Sequence, residues 1–209
     1  MAEKILLIGR AGSGKSSAIR NLDRESTAIL KCVNKKLPFR KGDKDFKSMY
    51  VSNVQELMTI LSQLVKNTKY TTIILDDLFY LSSYENFRRV SEKGYNKFTD
   101  IAKNLFDVVT LPDMIQRDDL TFIFITHSET NPTTLETDVK TIGKMIDSQL
   151  GIAGLFTMVL EATIIDGEYK FLTHNITGNS VVKTPMGMFE DDYIDNDLKI
   201  VLDTMKEYY

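Results

Sequence analysis

Residues 9–16 read Gly-Arg-Ala-Gly-Ser-Gly-Lys-Ser and directly follow the apolar run Lys-Ile-Leu-Leu-Ile at 4–8. Glycines at this density let the backbone curl so that successive N–H groups point inward, where a side chain would block them. The apolar run reads as a strand covered on both faces. Ser16 to Leu22 reads as a helix whose first N–H groups and positive dipole end face the same hollow. The segment matches G-x-x-x-x-G-K-[ST] at every fixed position, in the strand–loop–helix context that the pattern requires. Such a loop wraps a chain of phosphates, with Gly9, Arg10, Ala11, Gly12, Ser13, Gly14, Lys15, Ser16 and Ser17 as candidate contacts. Lys15 would bring an ammonium to the β- and γ-phosphates, and the Ser16 hydroxyl would ligate Mg²⁺.

The rest of the chain alternates short apolar runs with helical periodicity, the pattern of an α/β domain with a mostly parallel sheet flanked by helices. Further strands are expected at 27–33, 48–51, 71–75 and 121–126. Ser52 and Gln55 form a capping-box pattern ahead of a helix carrying Val54, Leu57, Met58, Leu61, Leu64 and Val65. A second amphipathic helix places Phe98, Ile101, Ala102, Leu105, Phe106 and Val109 on one face. Residues 129–134 read as loop around Pro132. Asp166-Gly167 marks a C-terminal β-hairpin between 158–165 and 169–172, and a last helix carries Leu198, Val201, Leu202 and Met205. At 209 residues a single domain is expected over 1–209, its core at about 1–165 and the hairpin and final helix at about 158–209.

Composition narrows the function classes. With 43% apolar and 26% charged residues the chain is globular in type, and its formal charge of −3 gives no global case for nucleic-acid binding. Cys32 is the only cysteine, which excludes an internal disulfide framework and a Cys-based zinc site. No apolar run approaches 18 residues and the first residues lack a cleavage signature, so no membrane partner and a cytoplasmic location are expected.

A magnesium–phosphate site needs a carboxylate on a neighbouring strand. Ile73-Ile74-Leu75-Asp76-Asp77 supplies two at a strand end. Asp76 is the candidate metal residue, and Asp77 the candidate that orients or deprotonates the attacking water. Thr126 and His127 end the next buried strand, on the edge where parallel sheets gather ligands. His127 either senses the γ-phosphate by hydrogen bonding or is satisfied by loop backbone. Residues 31–47 hold seven Lys or Arg against Asp43 and Asp45, with Phe39 and Phe46 interleaved. That stretch is either a surface for nucleic-acid phosphates and bases or a solvated loop.

With these elements in place the chain resembles the P-loop ATPases of the RecA-like and AAA group. More narrowly, it resembles small ATP-binding proteins encoded by bacteriophages and implicated in homologous recombination or single-strand annealing. The resemblance rests on GRAGSGKSS at 9–17, IILDDLFYLSSYENF at 73–87 with the segments at 95–109 and 122–129, and the tail at 143–162 and 184–198. It implies a RecA-like fold and Mg-dependent ATP hydrolysis coupled to assembly on single-stranded DNA, as a homo-oligomer beside a single-strand-binding protein. It assigns phosphate binding to Gly12, Gly14, Lys15, Ser16 and Ser17, magnesium to Ser16 and Asp76, and DNA contact to 129–144. It also implies a cation from a neighbouring subunit, with Lys140, Lys144, Arg88, Arg89 and Arg117 as candidates. Two departures stand out: Cys32-Val33-Asn34 replaces a catalytic glutamate, and Asp76-Asp77 replaces Asp-Glu. The expectation is slow turnover, a base supplied from elsewhere, or ATP binding without fast turnover in a regulatory role. A nucleotide or small-molecule kinase is the competing class, but no Arg-rich lid is evident. A Ras-type GTP switch fails because Asn34-Lys35-Lys36-Leu37 lacks the required aspartate.

Overall fold

The computed structural model describes residues 1–140 and 151–209. In chain order the strands of its main sheet are β1 (Glu3–Gly9), β2 (Thr27–Lys31), β3 (Lys47–Tyr50), β4 (Thr72–Asp76) and β5 (Thr121–Ile125). A small ribbon follows, β6 (Ser128–Thr130) and β7 (Thr137–Val139), before β8 (Met158–Ile165), β9 (Glu168–Leu172) and β10 (Tyr193–Asp195) complete the sheet. The helices are α1 (Gly42–Asp45), α2 (Val54–Lys66), α3 (Tyr80–Arg88), α4 (Asn96–Thr110) and α5 (Leu198–Tyr208). The eight-stranded sheet runs β10-β9-β8-β1-β5-β4-β2-β3. Every pair from β8 to β3 is parallel, and β9 and β10 add antiparallel at one side. This is a mostly parallel sheet flanked by helices, the fold of a P-loop NTPase.

Strand alternation divides the interior into two cores. Leu6, Ile8, Ile73, Leu75, Phe122 and Phe124 face the layer that holds Leu57, Leu61, Leu105 and Val108 of α2 and α4. Ile5, Leu7, Ile74, Ile123 and Ile125 face the other layer, with Ile19 and, from α5, Leu198, Val201 and Met205. Each fully buried Leu, Ile or Phe contributes roughly 1.5–3 kcal/mol, so the central strands are held from both faces. Because β1, β2, β4 and β5 are parallel, their carboxyl ends share one edge, and the functional candidates collect there.

Several expectations are revised. Ser16–Asn21 is a 3-10 helix ended by Leu22, whose N–H returns to Ile19. A six-residue stretch between a glycine loop and the Asp23 turn favours the tighter ladder, and its dipole is correspondingly small. The cap of α2 is Asn53, whose side chain accepts from Glu56 N–H, while the Glu56 carboxylate accepts from Ser52 N–H and Oγ. The N-cap therefore sits one residue later than Ser52, because Asn53 takes the extended cap conformation, and Glu56 reaches past it to the residue before the cap. Along α4 the buried residues are Lys97, Ile101, Leu105, Val108 and Val109, while Phe106 stays exposed. Lys97 lays its stem along the core and directs its ammonium to Arg89 O at 3.2 Å, over the Phe98 ring. The segment at 129–134 is partly strand: β6 and β7 pair antiparallel, with Asn131 Oδ1 accepting from Thr133 N–H in the turn. Helix α3 carries no strong apolar stripe, which is why periodicity did not reveal it. The hairpin at 158–172 forms as expected, with Asp166 and Gly167 both at positive φ, but it is built into the sheet: β8 pairs parallel with β1.

Candidate nucleotide-binding site

Gly9 leaves β1 at φ 154°, and a Cβ there would meet Ala162 O and Ser13 Oγ at 2.6 Å. Gly14 sits at φ 91°, where a Cβ would lie 2.8 Å from the Tyr169 ring and 3.2 Å from both polar atoms of the Asn196 amide. Both glycines are required by the close approach of β8, β9 and the residue after β10, not only by the curl itself. Lys15 is buried, and its ammonium donates to Gly9 O and Arg10 O at 2.7 Å each. Desolvation pulls that ammonium down to about 8, against the opposing charges of Asp77 and Asp76.

Across 60 positions of sequence the fold sets the Ser16 hydroxyl against Asp76, donating to Oδ1 at 2.9 Å. Asp76 ends β4 fully buried, and burial together with the Asp77 charge pushes its carboxyl up to about 6. Asp77 follows in the left-handed region, φ 60°, turning the chain from β4 into α3. Such a backbone is uncommon for a non-glycine residue, although aspartate tolerates it better than most. The buried Asp77 carboxylate accepts from Lys35 Nζ through Oδ2 and faces His127 Nε2 at 3.5 Å through Oδ1. Desolvation and then the Lys15 charge lower His127, so its ring is neutral at pH 7. Its ring also meets Tyr80 edge-on at 5.8 Å. Thr126 is buried beside it, its N–H donating to Leu7 O.

Two hollows flank the loop. One of about 410 Å³ is lined by Arg10, Phe79, Tyr80, His127 and Lys140. The other, about 480 Å³, opens at Ser17 and is lined by Phe39, Tyr169, Lys170 and Asn196. Buried polar atoms without partners cluster at the same loop: Ser13 Oγ and both polar atoms of the Asn196 amide. Orphaned groups of this kind each carry a penalty of about 1–3 kcal/mol. The Ser13 hydroxyl and the Asn196 N–H groups can donate to an anionic ligand, while Asn196 Oδ1 can accept only from a donor. Ser16 and Asp76 offer hard oxygen donors. Among the described residues no cluster of three His, Cys, Asp or Glu side chains could hold a metal alone. That donor set fits Mg²⁺ held jointly by protein oxygens, phosphates and water.

The structure thus gathers Gly9 to Ser17, Asp76, Asp77 and His127 on one edge of the sheet. It disperses other candidates. Arg89 is bound to Glu85, Glu92 and Asp100, and Arg117 to Asp119 and to the carbonyls of Val65 and Tyr70, so both are structural. Arg88 donates to Ser52 O at 2.8 Å. Lys140 lines the first hollow, and Lys144 lies outside the described residues. In the basic stretch Phe46 is buried, and half-buried Phe39 packs edge-on against it at 5.9 Å and lines the second hollow. Lys31 is buried on Asp43 and on Lys35 O at 3.0 Å. Lys36, Arg40, Lys41, Lys44 and Lys47 remain exposed. Sequence reasoning missed Tyr169, Asn196 and the placement of Lys35, since no local pattern marks them.

The family model of the viral superfamily 1 RNA helicase core domain matches residues 5–91, from β1 through α3. The matched stretch holds the phosphate loop, Lys35, Asp76 and Asp77. No curated protein matches the chain. The match supports a P-loop NTPase, with nucleotide binding and NTP hydrolysis as the class of chemistry. No described helix is long and apolar enough to cross a membrane.

Proposed function

We propose that the chain is a Mg-dependent ATPase acting on single-stranded nucleic acid in phage-type DNA recombination, repair or replication. The observation that carries this reading is the hydrogen bond from Ser16 to Asp76, which unites the loop hydroxyl and the strand-end carboxylate in one oxygen site. Lys15 binds the β- and γ-phosphates, and the backbone of Gly9 to Ser17 encloses the chain. The nucleoside continues past Ser17 into the hollow walled by Phe39, Tyr169 and Asn196. Mg²⁺, when bound at Ser16 and Asp76, supplies charge neutralisation to the phosphates. Asp77 accepts a hydrogen bond from the attacking water, and the N–H of neutral His127 donates to the terminal phosphate.

The helicase-core match and the resemblance to recombination ATPases both support nucleic acid as the partner. The exposed cations of 36–47 are the surface offered to it, and residues 129–144, of which 141–144 lie outside the described residues, are a second contact. Action as a homo-oligomer, beside a single-strand-binding protein, with 1–209 as one domain, belongs to the same reading. The test is ATP turnover with no polymer, with single-stranded DNA and with single-stranded RNA, each at two salt concentrations. Stimulation by DNA that weakens with salt and vanishes in Lys15→Ala is the expected result. Equal turnover under all three conditions would remove nucleic acid from the reading, and greater stimulation by RNA would replace DNA.

A further inference from the structure

Lys35 belongs by sequence to the basic stretch, yet its ammonium does not join that surface. It lies on Asp77 Oδ2, at the edge where the phosphate loop and the acidic strand meet. The charges that face it are Asp77 and Asp76 from the end of β4 and Lys15 from the loop, with the Tyr80 hydroxyl of α3 nearby. Although desolvation opposes it, the hydrogen bond to Asp77 and the charges of Asp77 and Asp76 keep Lys35 protonated.

The backbone of Lys35 is anchored, while its half-exposed head pairs, among the described residues, with the Asp77 carboxylate alone. Lys35 N–H donates to Val33 O at 2.8 Å, and Lys35 O accepts from Lys31 Nζ, whose ammonium also binds Asp43. A buried lysine therefore fixes the position from which a second lysine reaches. Nearly half of the Lys35 side chain is exposed (46%), against 3% for Asp77. Lys35 thus meets Asp77 from the solvent side, whereas Asp77 is enclosed.

Charge balance sets the demand. Lys15 and Lys35 match Asp76 and Asp77 one for one. A triphosphate carrying one divalent cation adds about two negative charges, largely at its terminal phosphate. A second ammonium beside Lys15 answers that excess, and Lys35 is the described lysine that stands on Asp77. We propose that Lys35 is the cation this chain supplies in cis to the terminal phosphate of its nucleotide, with Asp77 holding it within reach. When the ammonium is shared with the phosphate, the Asp77 carboxylate gains a free lone pair for water. Lys35 thus reports whether a terminal phosphate is present, a role for which the chain needs no subunit neighbour. The proposal rests on the ATPase reading given above.

The experiment compares wild type, Lys35→Gln and Lys35→Arg for the Kd of Mg-ATP and Mg-ADP by calorimetry, and for turnover at saturating ATP. Lys35→Gln is expected to weaken ATP by roughly tenfold or more, the scale of one charge-assisted hydrogen bond, with ADP affinity unchanged. Turnover is expected to fall by about a hundredfold, and Lys35→Arg to recover part of both losses. Equal weakening of ATP and ADP, or unchanged turnover in Lys35→Gln, would make Lys35 a structural partner of Asp77 and overturn the proposal. Lys35→Met keeps the stem without the charge and carries the same comparison if Lys35→Gln proves unstable. Wild-type protein that binds both nucleotides while Lys35→Gln behaves identically sinks this inference alone. Wild type that binds neither sinks the ATPase reading as well.

Discussion

The two flanks of β1 treat the same phosphate loop differently. On one side β5, β4 and β2 lead into titratable groups: neutral His127, the carboxylates of Asp76 and Asp77, and the Lys35 ammonium. On the other, β8, β9 and the end of β10 contribute shape: Ala162 under Gly9, Tyr169 and Asn196 against Gly14. The charged flank holds its groups at shifted protonation equilibria, with Asp76 raised and Lys15 and His127 lowered. The packing flank forbids a Cβ at two loop positions. The contrast teaches that a glycine loop of this kind needs a wall as well as a charge set, and that the two come from opposite sides of one strand.

The largest expected effect lies on the charged flank. Asp76→Asn should reduce Mg-dependent turnover by a factor on the order of 10²–10³, comparable to losing a principal electrostatic group, while nucleotide binding persists. The same change should make the nucleotide-free protein more stable, because it removes a buried charge. The sign follows from the raised carboxyl: the folded chain holds the Asp76 proton between 3.8 and about 6, where the unfolded chain has released it. Stability is therefore greatest below the unfolded value and falls as pH rises through about 6, by about 3 kcal/mol at most. Denaturation curves at pH 4 and pH 7 check this, and the difference should shrink in Asp76→Asn. Lys15 acts in a separate window. Its lowered value means the unfolded chain binds more protons between about 8 and 10.5, so stability climbs with pH there. An identical pH 4-to-7 difference in wild type and Asp76→Asn would deny that the Asp76 carboxyl is raised.

A smaller effect is expected on the packing flank. Gly14→Ala should destabilise by about 1–3 kcal/mol and weaken nucleotide binding, as overpacking and positive φ combine. Tyr169→Ala in the same chain relieves the 2.8 Å clash but not the backbone strain, so thermal melting should recover only part of the loss. Full recovery would mean that shape alone dictates the glycine, and no recovery that backbone alone does. The smallest effect concerns neither flank. Neutralising Lys41, Lys44 and Lys47 should leave turnover without polymer unchanged and flatten the salt dependence of single-stranded DNA binding by about 2–3 in the log–log slope.

Much of the charged flank was legible in sequence. The loop pattern specifies its own backbone, and three apolar residues before Asp76-Asp77 mark a buried strand that emerges at a polar edge. The α4 face was only partly legible, because periodicity cannot foresee that Lys97 buries its stem while Phe106 remains exposed. The cap of α2 slipped by one residue because Ser52 and Asn53 are both competent caps, and only the chain path selects Asn53. Lys35 looked like one more surface cation among seven. Nothing local distinguishes a lysine that reaches solvent from one that reaches a carboxylate 42 positions away.

Local order was written in the chain itself: glycine spacing fixes the curl after β1, and apolar alternation fixes which residues are strands and which faces they bury. Neighbourhood was not. That β5 lies between β1 and β4, that Ser16 meets Asp76, and that Ala162, Tyr169 and Asn196 close beneath the loop depend on how buried strands of similar hydrophobicity sort themselves into one sheet. Burial rewards any apolar strand about equally, so partner choice is settled by the simultaneous packing of both cores, a property of the whole chain that no short stretch of it carries.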